Sequence, residues 1–305
     1  MASFIVRRIG GALVVLLGIT IVTFILAYMV PSDPARMILG MRATQAEVNQ
    51  LRGQMGLNLP LYVQYWHYLV NLLHGNLGQS YQLDLPVSTL IAQRIGLTAQ
   101  LALACWIFEL LIGIPAGVIM ALKDRSAADH SLNIATLIGV SLVPFFLGLE
   151  LMYWVAFKAG LFPVGGTGGI DYIILPGLTY GITGAAYYAR LLKTSMLDVL
   201  HSDYIRTARA KGAGTWRAVF VHAFRNAMIP VVTYGGTDIA ALFGGVVVIE
   251  DVFGYSGVGQ LAVNAISQTD VPVIMGTVLV AAVFVVAFNI IVDVLYAFID
   301  PRISY

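Results

Sequence analysis

The chain has 305 residues, 59% of them hydrophobic and 11% charged, with a formal net charge of +1. A water-soluble domain of that composition has too little polar surface to cover itself, so the solvent that fits is lipid. The small net charge points to no particular partner, and the lone cysteine, Cys105, excludes an intrachain disulfide.

In chain order, Arg7 and Arg8 precede an apolar stretch at 9–30. It is longer than a signal-peptide core and no small-residue cleavage site follows it, so it reads as a retained first membrane helix. Further segments at 97–122, 132–157, 173–190, 227–249 and 273–299 are apolar enough to cross a hydrocarbon core. Such a core, about 30 Å thick, takes roughly 20 helical residues. The span at 173–190 is short and carries Pro176, Gly177, Gly181 and Gly184, residues tolerated where neighbouring helices cover them. The expected fold is an all-α integral membrane protein with six transmembrane helices.

Basic residues set the orientation. Arg7, Arg8, Lys123, Arg125, Arg302 and the cluster Arg190, Lys193, Arg206, Arg209, Lys211, Arg217 and Arg225 fall on one side of the six spans. The connection 250–272 holds no Lys or Arg, and 158–172 holds only Lys158. Both termini are therefore expected in the cytoplasm. The chain divides into the first helix (1–30), an extracytoplasmic helical loop (31–96) and a five-helix core (97–305) with a cytoplasmic loop at 190–226.

Within 31–96, Thr44 and Glu47 have capping-box spacing, with Val48, Leu51 and Met55 following on one face. A second helix opens at Pro60 and stops at Gly75; its Tyr62, Tyr65, Trp66 and Tyr68 suit a membrane interface. Two readings are open, an outer docking or gating element and an interfacial helix that covers the bundle. In the cytoplasmic loop, 203–211 predicts a short helix ended by Gly212 or Gly214. Thr215 then caps a second helix through Trp216 to Asn226. Charge alone does not separate a partner-binding element from one that fixes topology or touches anionic lipid.

The wording of that loop goes further. DYIRTARAKG at 203–212, followed by His222, Arg225, Asn226, Ala227 and Pro230, resembles the inner-membrane permeases of the dipeptide/oligopeptide branch of ATP-binding-cassette importers. PSDPAR (31–36), GLNLPLYVQYW (56–66), HGNLGQS (74–80), EDVFGYSGVGQL (250–261) and VDVLYAFIDPRISY (292–305) resemble the same branch, so the likeness covers the whole chain. Asn76 departs from it, standing where an acidic residue is expected. The resemblance implies a type I importer permease fold, with alternating access driven by partner ATPases. Asp203, Tyr204, Arg206, Thr207, Ala208, Arg209, Lys211, Gly212, His222, Arg225 and Asn226 would then form the ATPase-coupling element, of which only Ala208 matches the generic EAA letters. The implied partners are a homologous second permease, two cytoplasmic ATPase subunits and an extracytoplasmic peptide-binding protein. No cofactor is expected on this chain: no G-x-x-x-x-G-K-[ST] loop occurs, so ATP and Mg belong to the partners. Members of the branch handle dipeptides, oligopeptides, glutathione or chelated nickel.

Ionisable groups at bilayer depth are functional candidates, because their burial is costly. Glu109, Glu150 and Asp238 are translocation-path candidates, and the sharp reading has Glu109 and Asp238 meet the amino terminus of a peptide. The plainer reading pairs them with polar groups across helices. Asn289 and Asp293, four apart, share a face of the last span and read as structural. Gly113 with Gly117 and Gly177 with Gly181 have the spacing of close helix contacts, and 165–169 reads as a flexible glycine turn. Two other functions fit the residues less well. An ion-gradient transporter using Glu109 and Asp238 lacks a visible inverted repeat and leaves the basic loop without a role. An intramembrane enzyme has no H-E-x-x-H pair; His67, His74, His130, His201 and His222 are scattered outside the spans, so no catalytic or metal site is expected.

Overall fold

A computed structural model describes residues 2–29, 33–40, 42–212 and 214–299, with the side chains of 2–6, 28, 209, 215 and 293–299 left out. Pro31 and Ser32 of the PSDPAR run, the side chains of Arg209, Thr215 and Asp293, and Arg302 lie outside that description. The regular elements among the described residues are helices, with one isolated bridge between Gln79 and Pro86.

The first helix, α1, is Ala2–Met29. Then come α2 (Pro34–Leu39), α3 (Gln45–Gln54) and α4 (Leu61–Leu73). At α3 the capping box forms in full: Thr44 N–H donates to Glu47 Oε2 at 2.7 Å and Thr44 Oγ1 accepts from Glu47 N–H at 3.4 Å. These contacts hold the Glu47 carboxyl below the usual glutamate range. Pro60 caps α4, whose Tyr65 hydroxyl lies 3.0 Å from Thr20 Oγ1 and whose Tyr65 and Tyr68 rings pack on Phe24, both on α1.

The expected second span is the end of a longer helix, α5, Val87–Leu122. The expected third span is broken: α6 (Ala127–Ser141) meets α7 (Pro144–Leu151) at 103°, and α7 widens into a π-helical stretch at Met152–Lys158. Pro144 has no N–H to continue α6 and forces Val143 into extended backbone, φ −76° and ψ 125°. The fourth span is not short. Its helix, α8, is Asp171–Leu200, so the first third of the expected loop 190–226 is helix. Beyond it lie α9 (Asp203–Ala210) and α10 (Thr215–Arg217), which continues as a π-helical stretch at Ala218–Ala223 into α11 (Phe224–Gly245). The chain closes with α12 (Val247–Val252), α13 (Val258–Ser267) and α14 (Val271–Ile299).

By length and apolarity, four single helices can cross a membrane: α1, α5, the helix Ala218–Gly245 and α14; the bent pair α6–α7 makes a fifth. The 30-residue α8 is too polar to qualify, yet eleven of its residues are buried, Tyr188 and Leu192 completely. It is the inner helix that Pro176 and its glycines predict.

The helices form two compact units. One takes the described residues of Met1–Thr98 and Ser256–Ile290, around Val87, Leu90, Ile91, Leu261 and Val273. The other takes those of Ala99–Tyr255 and Ile291–Ser304, around Tyr188, Leu192, Met196, Val219, Ala227 and Val231. In the second unit a stripe of small residues joins α5 to α8. A Cβ on Gly113 would stand 2.7 Å from the Ala185 carbonyl oxygen, and one on Gly117 2.7 Å from that of Ala189. Gly177 and Gly181 face Phe108 on α5, so both glycine pairs sit at close contacts.

Candidate functional site

The predicted cytoplasmic element forms within the second unit. Asp203 opens α9, and the Thr207 hydroxyl donates to the Asp203 carbonyl at 2.9 Å. Ile205 is fully buried and anchors the helix, while the adjoining Arg206 is exposed, 3.5 Å from Asp203. Lys211 is exposed, and Ala208 is half-buried toward the anchored side. Gly212 has φ +87°, the left-handed conformation that ends helices on glycine, so it is the stop that the pattern predicts. Thr215 is the first residue of α10 and not its cap; the Gly214 carbonyl accepts the Ala218 N–H at 2.9 Å.

A side-chain bond fastens α9 to the membrane helix: Asn226 Nδ2 donates to the Tyr204 hydroxyl at 2.8 Å. Arg225 and Asn226 are exposed and His222 is half-buried. Around them stand Arg217 and Trp216, the latter 73% exposed and packed on Phe220 at 4.0 Å between ring centroids. Exposed cations and a large exposed aromatic, on a helix pair tied rigidly to α11, make a surface suited to an acidic partner. Trp216 was not singled out from the sequence, where one tryptophan in a basic stretch gives no sign of its exposure.

Of the three intramembrane acids, the structure brings together two. Glu109 on α5 and Asp238 on α11 stand beside each other, and Asp238 Oδ2 accepts from the Tyr188 hydroxyl at 2.7 Å. Trp106 Nε1 donates to that same Tyr188 oxygen at 3.1 Å, giving a chain across α5, α8 and α11. Glu109 lies against Gly184, where any side chain would overlap its carboxyl group. Glu150 stands apart, exposed on α7, and takes a 3.0 Å hydrogen bond from Trp154 Nε1 one turn along. Tyr188 and Trp106 went unread in the sequence, since aromatic residues in an apolar span carry no periodic mark of a polar contact.

Where α8 nears the basic loop, Lys193 Nζ lies 2.5 Å from Asp129 Oδ1 and 3.6 Å from Asp124 Oδ1, while Arg190 Nε donates to Thr136 at 3.3 Å. Two residues of the basic cluster thus brace α8 against α6. Among the described residues no group of His, Cys, Asp and Glu has the geometry of a metal site.

The family model described as the binding-protein-dependent transport system inner membrane component matches residues 113–305, and that of its N-terminal part matches residues 1–102. The chain is 39% identical over 316 residues to the oligopeptide transport system permease protein AppB of Bacillus subtilis (strain 168), with all of both chains covered. It is 37% identical over 305 residues to the glutathione transport system permease protein GsiC of Escherichia coli (strain K12), again with full coverage. Among solved structures, the inward-facing MetNI methionine ABC transporter shares the fold with TM-score 0.54 and 17% identity, covering 67% of this chain and 95% of that one. An amino acid ABC transporter does so with TM-score 0.54 and 13% identity, covering 68% and 93%.

Proposed function

The chain belongs to the family of binding-protein-dependent transport system inner membrane components, as a multi-pass permease subunit of an ATP-driven importer whose ATPase activity resides on partner subunits, and from that premise we propose that it conducts short peptides and is driven through the element at 203–226. The observation that carries the reading is the end-to-end match to an oligopeptide permease and to a glutathione permease, glutathione being a tripeptide.

On this reading the exposed cations Arg206, Lys211, Arg217 and Arg225, with Trp216, dock in a groove of an ATPase that binds ATP and Mg. The burial of Ile205 and the Tyr204–Asn226 bond make α9 move with α11. Closure of two ATPase subunits on ATP opens the bundle outward, and hydrolysis resets it inward. A second, homologous permease completes the pathway, both termini and the 203–226 element lie in the cytoplasm, and six spans arise if α8 crosses inside the bundle. An extracytoplasmic binding protein delivers the cargo.

The test is to capture the tagged chain from its native membranes in mild detergent and identify what accompanies it. The captured assembly is then reconstituted in liposomes with its binding protein. Co-purification of ATPase subunits and a second permease, with ATP-dependent accumulation of labelled trialanine, is the expected result. An assembly that hydrolyses ATP but accumulates neither trialanine nor glutathione overturns the peptide reading.

A further inference from the structure

Glu109 and Asp238 stand beside each other among apolar helices, and Asp238 Oδ2 accepts the Tyr188 hydroxyl at 2.7 Å. Of the basic residues of α8, Lys193 is paired with Asp124 and Asp129, while Arg190 donates only to the Thr136 hydroxyl. Glu109 is 1% exposed, and its Oε2 has no hydrogen-bond partner. A buried acceptor without a donor is costly, and a ligand that brings one relieves it.

The surroundings select the kind of ligand. Tyr234 lies one turn before Asp238 on α11; its ring meets Tyr188 edge-on at 5.1 Å and stacks on Tyr187 at 5.6 Å with 7° between planes. Aromatic faces beside a carboxylate attract organic cations. Tyr187 is 58% exposed, Asp238 is half-buried, and Thr233 and Thr237 are exposed on the same helix. A polar face at mid-span suits a water-lined path, not acyl chains.

We infer that Asp238, with Glu109 behind it and Tyr187 and Tyr234 as walls, binds the amino-terminal ammonium of the cargo during its passage. The inference rests on the peptide reading above and adds to it the group of the peptide that the permease itself recognises. The ammonium N–H groups donate to Asp238 and to the free oxygen of Glu109, while the adjoining carbons lie on the tyrosine faces.

The experiment titrates the purified importer, without its binding protein, in nanodiscs. The probes are methylammonium, trialanine and N-acetyl-trialanine, with affinity read by calorimetry. Trialanine is expected to bind at least tenfold more tightly than its acetylated form, and D238N to reduce it to the acetylated level. D238E, which disturbs packing as much but keeps the charge, should restore the preference. E109Q should weaken methylammonium binding on its own. Equal binding of the two peptides overturns the inference, as does an equal loss in D238E and D238N, which marks a structural role. If reconstituted liposomes import no peptide while methylammonium binding still depends on Asp238, the cation site stands and the peptide reading falls. If methylammonium binding ignores both D238N and E109Q, the site falls whatever the cargo.

Discussion

Lys193 on α8 reaches across to Asp129 in the first turn of α6, Nζ to Oδ1 at 2.5 Å, with the two side chains only 16% and 4% exposed. Asp129 also accepts the Arg125 N–H at 3.0 Å and the Asn133 amide at 2.8 Å, so one carboxylate gathers three donors. The pair fixes the inner helix of the second unit shortly before the chain enters the 203–226 element. On the proposed coupling role, a brace of this kind decides how much of a push on that element reaches α8.

The brace predicts a cost that its geometry sets. D129N removes the charge that meets the Lys193 ammonium while keeping an oxygen for the Arg125 N–H, and leaves that ammonium, 16% exposed, with only Asp124 at 3.6 Å. The thermal midpoint of the purified protein should fall in D129N, and K193M, which removes the cation, should lower it too. An unchanged midpoint in D129N shows that the pair does not hold α8 to α6.

The α5–α8 contact predicts a graded response to added methyl groups. A Cβ on Gly113 would stand 2.7 Å from the Ala185 carbonyl oxygen and 2.7 Å from Tyr188 Cβ, and neither can move without shifting α8. Gly113→Ala should cost about 1–3 kcal/mol, the usual range for overpacking. Gly244→Ala, at a helical position with nothing within 4 Å of the new carbon, should be neutral or gain up to ~1 kcal/mol from helix propensity. Thermal midpoints of the two variants, measured side by side in one detergent, check the contrast.

In the first unit, Asp270 is 3% exposed and binds the turn that follows the HGNLGQS stretch. It accepts the Ser80 hydroxyl at 2.5 Å and the Tyr81 N–H at 3.2 Å, and Ser80 Oγ in turn accepts the Leu83 N–H at 3.0 Å. D270A leaves these donors without a partner, at about 1–3 kcal/mol for a buried group. Amide exchange at 80–83 should rise at least tenfold in that variant, whereas in S80A the rise should be confined to Leu83, which loses Ser80 Oγ, while the Tyr81 N–H keeps its acceptor. Unchanged exchange in D270A would show that the turn is held by its own backbone.

How much of this was legible in the sequence depends on where the signal resides. Thr44 and Glu47 form a local pair three residues apart, and local chemistry was enough to place α3. The long apolar runs gave α1, α5, α11 and α14, because burial in lipid writes composition directly into the chain. The break between α6 and α7 was missed although Pro144 marks it, since apolarity runs straight across the bend. The length of α8 was missed for the opposite reason: Lys193, Met196 and Asp198 lie on a helix whose polarity reads as loop. The glycines at 165–169 read as a flexible turn, yet Gly165 approaches the Phe253 carbonyl too closely for a side chain and Gly166 N–H donates to it at 2.8 Å. Glu109 and Asp238 were visible as charges in apolar surroundings. Their union through Tyr188 was not, because contacts between distant helices leave no spacing to read.

Gly212 gives the last and most discriminating prediction. Its φ of +87° strains any other L-residue except, mildly, asparagine, while a Cβ there would meet nothing within 4 Å in this chain. Gly212→Asn and Gly212→Val therefore differ first in backbone strain, with Val about 1–2 kcal/mol worse. If the glycine serves only to end α9, Asn should retain most ATP-driven uptake and Val should lose it. If an ATPase backbone packs on this position, both should abolish uptake, because the open space is then filled by the partner. In either case the chain should insert normally, since Ile205 and the Tyr204–Asn226 bond are untouched. Uptake by vesicles of matched permease content, with substrate-stimulated ATP hydrolysis measured in parallel, separates the two. Hydrolysis that continues without uptake in both variants marks loss of coupling at the partner surface, whereas normal uptake in Val removes Gly212 from the coupling path altogether.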